Sequence, residues 1–124
     1  MKQEVRRWLA QGTRDLVTAK NSIKSKDYYA ASYWAQQSVE KILKAYYLKK
    51  FSKLKKVHNL VILAKELNLP TELTEKCDEL NTIYIDTRYP DAISSLPFTR
   101  YNLHKSQKDV RIAEEIVKWL KKNI

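Results

Sequence analysis

The chain has 124 residues with one glycine, three prolines, one cysteine and a formal net charge of +10. That length predicts a single domain over residues 1–124. One glycine excludes the Gly-rich phosphate loops of P-loop and Rossmann proteins, and one cysteine excludes an internal disulfide or a cysteine-based metal cluster.

No run of about eighteen apolar residues occurs, so no membrane span is expected. The polar start MKQEVRRWLAQGTRDL does not read as a secretory signal, and the expected compartment is the cytoplasm. In residues 3–24, Val5, Trp8, Leu9, Leu16, Ala19 and Ile23 recur near helical spacing, which predicts a first helix. Gly12 interrupts it and is expected to mark a close crossing with a neighbouring element.

Asp27 is placed to cap a second helix over about 28–50, with Ala31, Ala35, Val39, Ile42 and Tyr46 facing inward. Tyr28, Tyr29, Tyr33 and Trp34 crowd its first turns. Such density reads as core or subunit interface ahead of a base-stacking platform. FSKLKK (51–56) is a basic connector, and VHNLVILAKEL (57–67) is a shorter third helix ended by Asn68 and Pro70. Thr71 is predicted to cap a fourth helix through ELTEKCDELNTIYIDT, with Leu73, Cys77, Leu80 and Tyr84 inward and Pro90 ending it. A last helix over about 103–123 turns Val110, Ala113, Ile116, Val117 and Leu120 inward. No strand alternation appears. The expected fold class is all-α: a bundle of four to five helices.

Charge is unevenly distributed. Residues 41–56 hold seven lysines and no acid, whereas residues 72–86 hold five acids and one lysine. Such an asymmetry suits a phosphate-bearing partner or a self-complementary contact between subunits.

RYPDAISSLPFTRYNLH (88–104) is the one stretch without helical period, and it holds two prolines, two arginines, two tyrosines and a histidine. Arg100 and His104 are four apart and would share a face if both lay on one helix. An arginine holding a phosphate beside an acid–base histidine is the equipment of metal-free RNA cleavage. The same residues also suit a helix entrance. Arg88 meets the negative end of the fourth helix, where it can bind phosphate, or cap carbonyls and pair with Asp86 or Asp91. His58, beside Asn59, reads as a capping or packing residue. Two histidines without a HExxH or paired-cysteine pattern predict no metal site, and no cofactor is expected. The candidate phosphate-binding set is Arg88, Tyr89, Lys49, Lys50 and Arg100. The candidate catalytic pair is Arg100 and His104.

Three blocks occur in order: DYYAASYWAQQSVEKILKAYYLKK (27–50), HNLVILAKEL (58–67) and YIDTRYPDA (84–92). Together they resemble the HEPN domain (higher eukaryotes and prokaryotes nucleotide-binding), most closely its stand-alone prokaryotic and archaeal branch. The resemblance implies an up-and-down α-helical bundle that forms homodimers and binds nucleotide or RNA phosphates. It also implies pairing with a minimal nucleotidyltransferase in a toxin–antitoxin-like couple. Many members are metal-independent ribonucleases with an Arg, four to six residues, then His. Here three residues separate Arg100 from His104 and fifteen separate Arg88 from His104. A binding module is therefore the first expectation, and a ribonuclease using Arg100 and His104 the alternative.

Overall fold

The computed structural model describes residues 2–90 and 95–124. Among them are seven helical segments and no strand: α1 (Gln3–Lys24), α2 (Tyr28–Phe51), α3 (Leu60–Glu66), α4 (Thr71–Asn81), α5 (Ile83–Arg88), α6 (Pro97–Arg100) and α7 (Leu103–Asn123).

Side-chain contacts give the helix directions. Gly12 meets Ser38 and Ile42, and Lys44 lies over Trp8, so α1 and α2 run antiparallel. Ser32 reaches Asp109 at one end and Tyr46 stacks on Trp119 toward the other, so α2 and α7 run parallel. Lys76 pairs with Glu115 and Lys108 with Glu79, which sets α4 antiparallel to α7. The four principal helices α1, α2, α4 and α7 thus alternate up and down, as the family resemblance implied. The short α3, α5 and α6 are built into the connections.

The central helix is α2, with fourteen of its 24 residues buried. A helix covered on nearly all sides must satisfy its polar groups internally. Ser38 Oγ donates to the Gly12 carbonyl at 2.6 Å, and Ser32 Oγ donates to Asp109 Oδ2 at 2.8 Å. Gln36, Gln37, Glu40 and Lys44 bond to one another. The Gly12 carbonyl contact fits the close crossing expected there. A Cβ at residue 12 would lie 2.5 Å from Ile42 Cγ1 and 3.1 Å from the Ser38 carbonyl oxygen. The inward residues predicted for α7 are all buried, as are Leu73, Cys77 and Leu80 of α4. Burial pushes the Cys77 thiol up to about 12.

Several expected boundaries move. The predicted fourth helix is two helices, broken at Thr82. Asn81 explains the break: its Oδ1 accepts from the Leu60 amide at 2.8 Å and its Nδ2 donates to Asn59 at 3.2 Å, so tertiary contact captures it. Pro70, not Thr71, stands at the cap of α4. Asp27 stands at the cap of α2, but its carboxylate takes the Ser25 hydroxyl instead of a helix amide. The third helix starts at Leu60 because the Asn59 side chain accepts from the Val61 and Ile62 amides. With a single glycine available, left-handed positions fall on Lys26, Ser52 and Asn68.

Candidate phosphate-binding site

Arg88 is the last residue of α5, where the helix dipole favours a cation. Its guanidinium lies over the Tyr84 ring at 4.4 Å and near the Tyr33 ring at 5.6 Å, and Nη2 donates to the Tyr33 hydroxyl at 2.5 Å. Tyr84 and Arg88 are one helical turn apart, so the first contact is local. Tyr33 comes from α2. Partial burial works against the charged guanidinium. The Tyr33 hydrogen bond and the surrounding phenols outweigh it, and the Arg88 pKa moves upward. Arg88 forms no ion pair with a carboxylate among the described residues, and Asp91, its other predicted partner, lies outside them. Beside the guanidinium opens a cavity of about 320 Å³ lined by Tyr29, Ala30, Tyr33, Trp34 and Thr87. Tyr33 and Trp34 meet edge to face at 5.1 Å. The arrangement offers a cation for phosphate and aromatic faces for a flat ring.

Behind this corner stands a polar chain that the sequence pattern did not announce. His58 stacks on Tyr84 at 4.4 Å, and its Nδ1 lies 3.0 Å from Glu40 Oε2. Glu40 is buried and also holds Lys44 at 3.0 Å and the Gln36 amide at 3.3 Å. The order is Lys44, Glu40, His58, Tyr84, Arg88, Tyr33. A buried carboxylate with three donors is a fixed anchor, and through His58 and Tyr84 it sets the place of Arg88.

Arg100 is differently engaged. Its Nη2 donates to the Asp86 carbonyl at 2.6 Å, and its Nη1 donates to the Ser95 carbonyl and hydroxyl. It therefore fastens α6 to α5. His104 is exposed on the first turn of α7 and makes no hydrogen bond or ion pair among the described residues. Between the two, Tyr101 and Asn102 are extended, and the Asn102 side chain accepts from the Lys105 amide at 2.8 Å to cap α7. Arg100 and His104 thus lie on different helices, and the common helical face considered from their spacing does not exist. The cause is local: Pro97 opens α6 and Asn102 opens α7.

Tyr89 is exposed next to Arg88. Lys49 and Lys50 sit at the other end of α2, roughly 24 Å along the axis from Tyr33 at 1.5 Å per residue. The five predicted phosphate-binding residues therefore divide into the Arg88 corner with Tyr89, the fastening Arg100, and a distant lysine pair.

An up-and-down four-helix bundle with helical connections, a polar central helix and a cation–aromatic corner defines a small helical-bundle protein. The chain belongs to the HEPN domain family, whose family model matches residues 5–124. Its fold is similar to that of TT1696 from Thermus thermophilus, with a TM-score of 0.92 and 27% identity over 99% of this chain and 100% of that one. It is also similar to ST0689, an archaeal HEPN homologue, with a TM-score of 0.83 and 26% identity over 98% of each chain. No curated protein matches the sequence. No helix among the described residues is long and apolar enough to cross a membrane.

Proposed function

We propose that this HEPN protein is a binding module that takes nucleotide or RNA phosphates at the Arg88 corner. The observation that carries the reading is the Arg88 guanidinium, held by Tyr84 and Tyr33 at the mouth of an aromatic cavity and braced from behind by Glu40 and His58. A phosphate would meet a preorganised, charged donor, and a base would meet Tyr33 or Trp34.

Family membership supports a homodimer that pairs with a minimal nucleotidyltransferase in a toxin–antitoxin-like couple. The dimer reading has further support in exposed Ile85, Tyr89, Leu96, Phe98 and Leu103, which concentrate between α5 and the start of α7. The ribonuclease alternative receives less support, because the Arg100 Nη1 and Nη2 donors are already committed, its Nε is buried, and His104 stands on another helix.

Calorimetric titration with ATP tests the reading. The wild type should bind weakly and lose affinity as salt rises. Arg88→Ala should bind at least tenfold more weakly, the scale of one lost charge-assisted hydrogen bond at ~1.5–3 kcal/mol. Tyr33→Phe should lose less. Equal affinity in wild type and Arg88→Ala would reject the site.

A further inference from the structure

Seven lysines of this protein, Lys20, Lys41, Lys44, Lys55, Lys76, Lys105 and Lys108, pair with carboxylates. Lys24, Lys26, Lys56 and Lys65 are scattered along the chain without such a pair among the described residues, and seven further lysines gather at one end of the bundle. Because α2 and α7 run parallel and α1 antiparallel to them, the last turns of α2 and α7 meet the first turns of α1. A small apolar cluster of Val5, Ala45 and Leu48, with Trp8 and Ile124 against it, closes that end.

Around it stand Lys2, Arg6 and Arg7 from α1 and its cap, Lys49, Lys50 and Lys53 from the end of α2, and Lys118, Lys121 and Lys122 from α7. All nine are exposed, and none forms an ion pair with a side-chain carboxylate among the described residues. Lys49 donates to the Ile124 carbonyl. Of the nearby carboxylates, Glu114 is engaged by Lys20 and Glu72 and Glu115 by Lys76, while Glu4 and Glu75 form no ion pair among the described residues. Glu4 is the acid in the first turn of α1. Helix dipoles do not explain the surplus. Two helix C-termini carry about half a negative charge each, which about one cation would compensate.

Aromatic surface lies among these cations. Tyr46 and Trp119 stack at 6.5 Å with planes 11° apart, and exposed Phe51 sits under Lys50 at 5.4 Å. Pairs of lysines flank each: Lys49 and Lys50 border the Tyr46 cavity, Lys118 and Lys122 the Trp119 cavity.

We infer that this end is a second interaction surface, separate from the Arg88 corner, and that it tracks the phosphates of a single-stranded nucleic acid. Unpaired cations supply sequence-independent attraction through counterion release, and interleaved rings supply tolerant stacking. An acidic protein would also be attracted by the charge; flat rings set between pairs of lysines match the alternation of bases and phosphates along a single strand.

The test is fluorescence anisotropy of labelled oligouridine, about 20 nucleotides long to exceed one site, over a salt series with the full chain. Each phosphate contact on a single strand contributes about −0.7 to the log–log salt slope. A slope of about −3 or steeper is expected, which is roughly a 60-fold loss between 50 and 200 mM salt. The triple variant Arg7→Gln, Lys50→Gln, Lys122→Gln should flatten the slope by about 2, with an unchanged circular dichroism spectrum and melting temperature. Arg88→Ala should leave the slope within about one contact of wild type, and the triple variant should keep its ATP affinity, so that failure of one site is distinguishable from failure of the other. A wild-type slope shallower than about −1, or a slope the triple variant does not change, overturns the inference. So does binding of charge-matched polyglutamate or phosphatidylserine vesicles as tightly as oligouridine.

Discussion

The two ends of the bundle hold cations by different means. At the Arg88 end one guanidinium is fixed by two tyrosines and backed by a line of side chains leading to the buried Glu40. At the other end nine exposed cations stand on or beside the ends of three helices, with an apolar cluster beneath. A fixed charge can favour one geometry of ligand. A crowd of exposed, long-stemmed cations favours negative charge without specifying its arrangement. One short chain thus separates preorganised from diffuse electrostatics by the length of α2.

This contrast makes unequal demands on stability. The largest effect should come from Glu40→Ala, which leaves Lys44 buried without its carboxylate and His58 without its anchor. A loss of about 3–5 kcal/mol is expected by chemical denaturation. A loss below about 1 kcal/mol would show that the Arg88 end is not braced in this way. Gly12→Ala comes next. Alanine ordinarily favours a helix by about 1 kcal/mol over glycine, but here the new methyl group meets Ile42 and the Ser38 carbonyl in the core. Net destabilisation of about 1–2 kcal/mol is expected, and a stabilised variant would contradict the packing of α1 on α2.

Alkaline titration gives a smaller effect confined to the Arg88 end. Burial raises the Tyr101 pKa, with the Asp86 and Asp109 carboxylates adding to it. The folded state keeps this phenol protonated above the pH at which the unfolded chain releases its proton, near 10.0. Stability from this group is therefore complete below pH ~10 and falls as pH rises further, by up to about 1.4 kcal/mol per pH unit. Tyr101→Phe should make the decline between pH ~10 and ~12 shallower, and an unchanged slope would remove Tyr101 from the account. Smallest of all, the triple glutamine variant of the lysine end should shift stability by no more than about 0.5 kcal/mol, measured by the same denaturation.

Local pattern carried much of the fold. The principal helices α1, α2 and α7 follow from apolar spacing, and Gly12 announced a close crossing because a lone glycine in a helix calls for a packing reason. The break at Thr82 was not legible, because it depends on Asn81 reaching Asn59 and the Leu60 amide across the α3–α4 turn. Arg88 stood out from its position after a helix and before Pro90. Its partner Tyr33 lies 55 residues away, and no periodicity links them. The Tyr84–Arg88 spacing was the one available signal for the stack. His58 read as a capping or packing residue, and its Glu40 partner lies 18 residues away on α2, with no spacing signal to link them. The lysine run of residues 41–56 was visible in sequence, but only the parallel arrangement of α2 and α7 brings the terminal cations of α1 and α7 beside it.

The most direct measurement of the Arg88 site is a two-dimensional NMR titration with ATP, which suits a chain of 14.7 kDa. Amide and side-chain shifts should move at Tyr29, Tyr33, Trp34, Thr87 and Arg88, and stay fixed at residues 2–9 and 118–123. Shifts that saturate only at the lysine end, or none at the Arg88 corner at any concentration, would contradict the assignment.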